Sequence, residues 1–389
     1  MSTRVALYSA VGDELTHYEV DVGNAALVKR ATTKVLANVQ YAWPHPSRKF
    51  LYVATSNRGG GGKSDFTHVA AYKIDGQTGA LTPHGEPHSL YARAVHICVG
   101  PFGRHLLSGH NLPKCGITVN PIQSDGTIGP AIKQPDGLDF GIYPHQVMVT
   151  PSGKTVVLVD RGNDAAHGKP EEPGALRLYS SKEGVLSHLA VIAPNGGYGF
   201  GPRHIDFHPT KPWLYASLER QSMLHMFRMA GDCLEPQAAF VRDSLADRAN
   251  EKPRQLAGTI HVHPNGRFVY LANRADWTVD YNDRQVFGGG ENSIAVYAID
   301  QATGEPTLIQ HADTHSKHVR TFAFDPGGRM MVAASIKPLD IRDGNSVSTL
   351  PAALTTFKAG DDGKLEFVRK YDVGPADKIH YWMGMVGLP

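Results

Sequence analysis

Side chains that bind anions or move protons recur at matching places in this sequence. Counting back five or six residues from a series of regularly spaced prolines reaches His96, His145, Gln146, Arg203, His204 and Arg320. Glu219 and Arg274 each end the strand that follows such a proline, and Asp160 and Arg161 occupy the corresponding place in a third copy. Burying guanidiniums and imidazoles without partners costs free energy. A layer of such groups therefore indicates a bound anion or a water-filled channel.

The prolines belong to a repeated phrase, which runs apolar strand, Pro, small residue or Gly, basic residue, apolar strand. Its copies contain Pro46, Pro101, Pro151, Pro209, Pro264 and Pro326, which are 55, 50, 58, 55 and 62 residues apart. Pro fixes φ at the turn and the flanks are β-branched or aromatic, so each phrase predicts a β-hairpin. Two further strands follow each hairpin. Four strands per unit of about 50 residues is the composition of a propeller blade.

The two ends of the chain supply a seventh unit. The segment 5–9 has the pattern of the strand that follows the proline turn, and 378–385 has that of the strand that precedes it. We therefore predict an all-β, seven-bladed β-propeller with four antiparallel strands per blade, formed by residues 1–389 as a single domain. Pairing of the N- and C-terminal strands closes this ring. The alternative is a six-bladed ring with frayed ends, and the segment 243–251 fits either a short helix or a loop.

Composition narrows the class of protein. The chain is 41% hydrophobic and 20% charged, with a formal net charge of +2, which is typical of a globular protein with a substantial core. The absence of basic runs and of long apolar runs predicts no nucleic-acid partner and no membrane span. Cys98, Cys115 and Cys233 form no disulfide or zinc motif, and no secretory-type segment opens the sequence. We expect a cytoplasmic protein that is a monomer or a homodimer.

Three segments carry a family resemblance: YPHQVMVTPSGKTVVLVDRGND (143–164), GFGPRHIDFHPTKPWLYASLE (199–219) and TIHVHPNGRFVYLANR (259–274). They resemble the lactonase family, which includes propeller-type bacterial 6-phosphogluconolactonase and fungal 3-carboxy-cis,cis-muconate lactonizing enzyme. The resemblance spans nearly the whole chain. It implies seven blades, no metal or other cofactor, and a site at the channel mouth for lactones with an anionic substituent. The catalytic set it implies is His145, Arg203, Glu219 and Arg274, in agreement with the layer found by counting.

Two segments depart from the family pattern. The stretch before His145, GLDFGIYPHQV, replaces a segment richer in Gln and His, so substrate contacts are expected to differ there. The insertion 281–291, YNDRQVFGGGE, is placed where it could roof the site.

Opening a lactone requires an activated water, a proton donor for the leaving alkoxide and positive charge at the carbonyl oxygen. We assign general-base or general-acid chemistry to Glu219 and complementary proton transfer to His145. Arg203 and Arg274 would hold the anionic group and the oxyanion. The candidate substrate-binding residues are His96, Gln146, His204, Arg320 and His380.

Other functions remain open, and they differ in whether they need these side chains. A muconate-type cycloisomerase would form the lactone with the same side chains, and a noncatalytic scaffold would not need them. A metal on His96, His145 and His380 is a further alternative. The segment GGGGKS (59–64) ends like a phosphate-binding loop, but Asn57 stands where its first glycine belongs, so we predict a flexible loop. No Ser or Cys lies in a nucleophile-elbow motif.

Overall fold

The protein is described by a computed structural model that covers residues 4–57, 65–166, 168–374 and 377–389. The predicted loop at 59–64 lies outside the described residues. Seven antiparallel sheets, blades 1 to 7, stand around a central channel. Within each blade the innermost strand is followed outward by the second and third strands and, except in blade 2, by a fourth position.

Blades 1 to 4 follow one another along the chain, and their strands are given from the channel outward. Blade 1 contains β4 (Asn38–Pro44), β5 (Phe50–Ser56), β6 (Thr67–Ile74) and β7 (Leu81–Ser89). Blade 2 contains β8 (Ala94–Val99), β9 (His105–His110) and β10 (Gly116–Pro121). Blade 3 contains β11 (Pro144–Val149), β12 (Thr155–Asp160), β13 (Ala175–Lys182) and β14 (Val185–Ile192). Blade 4 contains β15 (Pro202–Phe207), β16 (Trp213–Leu218), β17 (Met223–Ala230), β18 (Cys233–Leu234) and β19 (Phe240–Asp243).

Blades 5 to 7 complete the ring, and two of them carry an inserted hairpin. Blade 5 contains β20 (Gln255–Val262), β21 (Phe268–Ala275), β24 (Ser293–Ile299) and β25 (Pro306–Asp313), with hairpin β22 (Thr278–Tyr281) and β23 (Arg284–Phe287). Blade 6 contains β26 (Val319–Phe324), β27 (Met330–Ser335), β30 (Ala353–Ala359) and β31 (Leu365–Asp372), with hairpin β28 (Leu339–Asp343) and β29 (Ser346–Leu350). Blade 7 contains β32 (His380–Gly387), β1 (Val5–Val11), β2 (Glu14–Asp21) and β3 (Ala26–Lys34).

The ring is closed as the sequence predicts. Strand β1 pairs antiparallel with β32, in a register that runs from Val5 opposite Gly387 to Val11 opposite His380. The innermost strands contact one another in the order β4, β8, β11, β15, β20, β26, β32 and back to β4. The chain therefore forms seven blades, and the six-bladed alternative is wrong.

Two blades depart from four regular strands. In blade 2 the described residues after β10 form no fourth strand, and Pro130 and Pro135 in this segment lack the N–H groups that a ladder uses. In blade 4 the fourth position is shared by β18 and β19, which both pair with β17. The segment 243–251 is mainly loop, with one turn of 3₁₀-helix at Arg248–Asn250, and a second such turn lies at Pro194–Gly197. No helix in the described ranges is long and apolar enough to cross a membrane.

The repeated phrase also links neighbouring blades. Where His precedes the proline, its Nε2 contacts a carbonyl in the turn of the next blade. These pairs are His45 to Gly103 at 3.1 Å, His208 to Gly266 at 2.8 Å and His263 to Gly328 at 2.7 Å. Seven buried apolar clusters in the described chain each fill the gap between two neighbouring blades. The core is thus a ring of inter-blade layers, which leaves the channel free for polar groups.

Candidate active site

A cavity of about 440 Å³ opens at one end of the channel. Its lining is rich in guanidiniums and consists of Arg93, Val95, Asn111, Tyr143, His145, Arg161, Asp164, Glu219, Arg220, Arg254, Leu256, Arg274, His318, Arg320 and Tyr381. Six of these residues are arginines and two are carboxylates. Such an excess of positive charge favours an anionic ligand.

Strand direction explains why these residues meet. The innermost and second strands of a blade are antiparallel, so the start of one and the end of the other lie at the same edge. Arg161 and Glu219 directly follow the second strands β12 and β16, and Arg274 is the penultimate residue of β21. The backbone of Glu219 is fixed on both sides, because its N–H donates to Gly201 and its carbonyl accepts from Ala257.

A β-bulge near the start of each innermost strand aims side chains at the channel. In the ladders with the second strands, the residues without a partner are Gln40, Val95, His145, Arg203, Gly258 with Thr259, Arg320 and Tyr381. Bulges re-aim side chains and are frequent beside active sites. The position six residues before each proline is therefore a bulge, which is why counting from the prolines found it.

Glu219 is the centre of an ionic cluster. Its Oε1 lies 2.8 Å from Nε of Arg203 and also contacts Nη2 of Arg274, while Oε2 accepts from Nη1 of Arg161 at 2.6 Å. Only 4% of the Glu219 side chain is exposed. Burial alone would raise the pKa of Glu219, but Arg274, Arg161 and Arg203 overcome this and hold it well below its usual range. Glu219 is therefore an ionised carboxylate with both oxygens engaged.

His145 is an uncharged imidazole in the cavity wall. Burial, followed by the field of Arg203 and the other arginines, lowers the pKa of His145 well below its usual value. The imidazole is thus neutral near pH 7. Arg161 and Glu219 lie in the same wall, and Arg161 also stacks 4.3 Å from the ring centre of Tyr143. The site therefore combines a neutral base with fixed positive charge.

Three other predicted residues lie deeper in the channel. Arg203 is fully buried behind Glu219 and does not line the cavity. The ring of His204 lies 5.2 Å from that of His145, and the ring of His96 follows 6.0 Å further on. The structure thus leaves Arg203, His204 and His96 out of the cavity lining: His204 and His96 follow the bulge in their strands, and the guanidinium of Arg203 is turned against Glu219.

Gln146 and His380 are engaged in the framework rather than in the cavity wall. The amide of Gln146 accepts from the backbone N–H of Ile205 at 2.6 Å and donates to the Ile205 carbonyl at 3.3 Å, which joins blades 3 and 4. His380 is buried, with Nε2 3.0 Å from the Ser9 hydroxyl. Of the predicted residues, the cavity wall contains His145, Arg161, Glu219, Arg274 and Arg320.

Several lining residues escaped prediction from the sequence. Tyr381 occupies the bulge of blade 7. Aligning the incomplete seventh copy of the repeat with the other six would have placed Tyr381 at the position equivalent to His145 and Arg320. Arg220, Arg254 and His318 lie in loops outside the repeated phrase, where no spacing rule applies. Within the described ranges, no three His, Cys, Asp or Glu side chains are arranged to hold a metal ion. The insertion 281–291 forms β23 and a loop that contribute no residue to the cavity lining, so the expected roof is not observed.

Comparison with known proteins identifies the family. Residues 3–338 match the family model described as lactonase, 7-bladed beta-propeller. The chain belongs to this lactonase family. It is 28% identical to 6-phosphogluconolactonase of Bacillus subtilis over 345 residues, covering 85% of this chain and 87% of that one. The same identity over 316 residues is found with 6-phosphogluconolactonase of Pectobacterium carotovorum, covering 81% and 82% of the two chains.

Solved structures agree with the lactonase-family fold. The Pseudomonas aeruginosa periplasmic gluconolactonase PpgL superposes with a TM-score of 0.71 at 19% identity and covers the full length of both chains. A Lactobacillus plantarum protein gives the same TM-score at 20% identity over 99% of both chains. At these identities the likeness establishes the propeller architecture.

The buried histidines of this lactonase-family propeller make its stability depend on pH. Burial lowers the pKa of His110, His318 and His380 to about 4, against a usual value of 6.5. Between these values the unfolded chain binds more protons than the folded one, so stability falls as pH falls. Each group contributes about 1.4 kcal/mol per pH unit within that window. We expect the melting temperature to drop markedly between pH 7 and pH 5 in a thermal-unfolding series.

A variant tests the origin of this drop. His380→Asn should show a shallower decline, whereas replacing the exposed His315 by Asn should leave the slope unchanged. An equal melting temperature at pH 7 and pH 5 would contradict the assignment.

Proposed function

We propose that this protein hydrolyses a lactone that carries an anionic substituent, such as 6-phosphogluconolactone. The observation that carries the proposal is that a neutral imidazole, His145, and guanidiniums fixed by Glu219 share one arginine-rich cavity. Membership of the lactonase family and relatives named 6-phosphogluconolactonase support it.

In the proposed reaction His145 accepts a proton from a water molecule whose oxygen attacks the lactone carbonyl carbon. The carbonyl oxygen becomes an oxyanion that Arg161 and Arg274 stabilise from fixed positions. The ring C–O bond then breaks, and protonated His145 returns the proton to the leaving alkoxide. The products are a carboxylate and a hydroxyl on one open chain, with the second water proton released to solvent.

Glu219 is assigned a positioning role in this scheme. Because its pKa is depressed and both oxygens face guanidiniums, it is a weak proton acceptor at neutral pH. Its charge instead holds Arg161 and Arg274 where the oxyanion develops, which avoids reorganisation during the reaction. The pKa of His145 is also lowered, so the distinction lies in the contacts: both Glu219 oxygens are occupied by guanidiniums, whereas Nδ1 of His145 has no hydrogen-bond partner among the described residues. This difference favours His145 over Glu219 as the general base.

Arg320 is the proposed receptor for the anionic substituent. Its Nε donates to the Tyr381 carbonyl at 3.2 Å and its guanidinium lies 4.8 Å from the Tyr381 ring centre. Within the described ranges no carboxylate forms an ion pair with Arg320, unlike Arg161, Arg254 and Arg274. Burial, with nearby Arg274, lowers the pKa of Arg320 to about 10, so it remains a cation. A substrate phosphate or carboxylate would supply the missing counter-charge.

Substitution of Arg320 tests this assignment. Arg320→Gln should raise KM for an anionic lactone roughly 10- to 100-fold, since a charge-assisted hydrogen bond contributes about 1.5–3 kcal/mol. The matched neutral lactone serves as control and should be turned over as by the wild type. Initial rates measured in a pH-stat give both values. Equal losses for the two lactones would contradict an anion receptor at Arg320.

The direction of the reaction is tested separately with the wild-type protein. Formation of a lactone from a muconate, without hydrolysis of either lactone, would favour the cycloisomerase over the hydrolase.

A further inference from the structure

His318 lies between two ionic clusters of the site. Its Nε2 is 2.9 Å from Nη1 of Arg274, and its Nδ1 is 3.3 Å from Oδ2 of Asp276. An arginine only donates, so Nε2 must accept and the ring proton must be on Nδ1, facing the carboxylate. This tautomer offers an acceptor to Arg274 and turns the ring proton to the side of Asp276, within the 3.3 Å contact but without the geometry of a full hydrogen bond.

The backbone of His318 is held in an unusual conformation. Its φ of +55° lies in the left-handed region, which non-glycine residues enter at a cost in free energy. The N–H of His318 donates to Oδ1 of Asn292 at 2.7 Å, and its carbonyl accepts from Ile336 at 3.2 Å. The fold thus fixes a strained residue at the cavity wall, a pattern associated with function.

Asp276 is in turn held from several sides. Its carboxylate receives two hydrogen bonds from Arg254, at 2.6 and 3.1 Å, and lies 3.1 Å from the ammonium of Lys337. The Asp276 side chain is 3% exposed. A chain of contacts therefore runs from Asp276 through His318 and Arg274 to Glu219.

We propose that His318, oriented by Asp276, is a positioning residue that holds the Arg274 guanidinium for the oxyanion of the lactone reaction. This inference rests on the proposed function. Without the Nε2 acceptor, Nη1 of Arg274 loses its fixed direction, while the link from Nη2 to Glu219 remains. The effect is therefore expected in the chemical step more than in substrate binding.

A matched pair of variants tests the proposal in the full-length protein. His318→Gln keeps an acceptor for Arg274, whereas His318→Met has similar length and no comparable acceptor. Both place a non-glycine residue at the same positive φ, so their melting temperatures should be similar. We expect kcat to fall about 10- to 100-fold in the Met variant, with KM changed less than about threefold, and a substantial part of kcat to return in the Gln variant.

The possible outcomes separate the two proposals. Equal kcat for the Gln and Met variants, or losses that follow the melting temperatures alone, would overturn the positioning role. If the wild type opens no lactone, the proposed function fails. The contacts of the His318 imidazole are then still tested by ¹⁵N NMR of the histidine side chains. An Nδ1–H tautomer of His318 agrees with the proposed contacts, and an Nε2–H tautomer contradicts them.

Discussion

Replacement of Glu219 by Gln is expected to lower kcat by about 10²- to 10³-fold, the loss typical of removing oxyanion stabilisation. The amide cannot neutralise Arg161, Arg203 and Arg274, so we expect these closely spaced cations to repel one another and leave their positions. Stopped-flow or pH-stat rates with an anionic lactone measure the loss. A melting curve of the variant shows whether it remains folded.

The pH profile distinguishes positioning from proton transfer at Glu219. If His145 is the base, kcat/KM falls toward low pH as His145 is protonated. Because the pKa of His145 is lowered, this fall should occur below pH 6.5, the usual pKa of histidine. That limb should persist in the folded Glu219→Gln variant at a lower rate and should disappear in His145→Gln. Wild-type rates in Glu219→Gln, or loss of the limb there, would contradict the assignment.

Removal of residues 379–389 is expected to abolish cooperative folding of the ring. This deletion takes away β32, which is the innermost strand of blade 7 and the hydrogen-bonded partner of β1. It also removes the buried Trp382, Met383 and Val386 from the two apolar layers beside blade 7. Burial of large apolar side chains contributes about 1.5–3 kcal/mol each, a large part of the total stability of a domain. Denaturant unfolding followed by circular dichroism measures the effect.

A circular permutant provides the control for this deletion. The N- and C-terminal strands end beside each other, since the N–H of Leu388 donates to the carbonyl of Arg4 at 2.7 Å. Joining them with a short Gly/Ser linker and opening the exposed turn at Gly344 keeps β1 paired with β32. The permutant should unfold cooperatively near the wild-type midpoint. An unaltered midpoint in the deletion variant would show that closure by β32 is not required.

The sequence predicted the ring well because closure depends on repetition. Each copy of the repeat forms the same hairpin, so spacing alone located the strands and the positions of His145 and Arg320, which the structure shows to be β-bulges. The incomplete phrases at the two ends predicted the pairing of β1 with β32 for the same reason. Blade 2 differs because prolines after β10 remove ladder donors, a local effect that a repeat count does not weigh.

The site was predicted less completely because side-chain direction depends on neighbouring blades. Arg203 shares its register with His145, yet it turns beneath Glu219 and is fully buried. Gln146 is used by the backbone of the adjacent blade. His318 reaches the cavity through a left-handed backbone conformation in a loop, which no periodic pattern encodes. These placements require the assembled ring and the charges that meet inside it.

The most direct test of the proposed function compares two lactones that differ only in charge. Purified wild-type protein is assayed with 6-phosphogluconolactone and with the neutral gluconolactone, and acid release is followed at constant pH. We predict that kcat/KM is at least about 100-fold higher for the phosphorylated lactone, since it alone supplies an anion for the arginine-lined cavity. Equal values for both lactones, or no acid release above the spontaneous rate, would contradict an active site built to open anionic lactones.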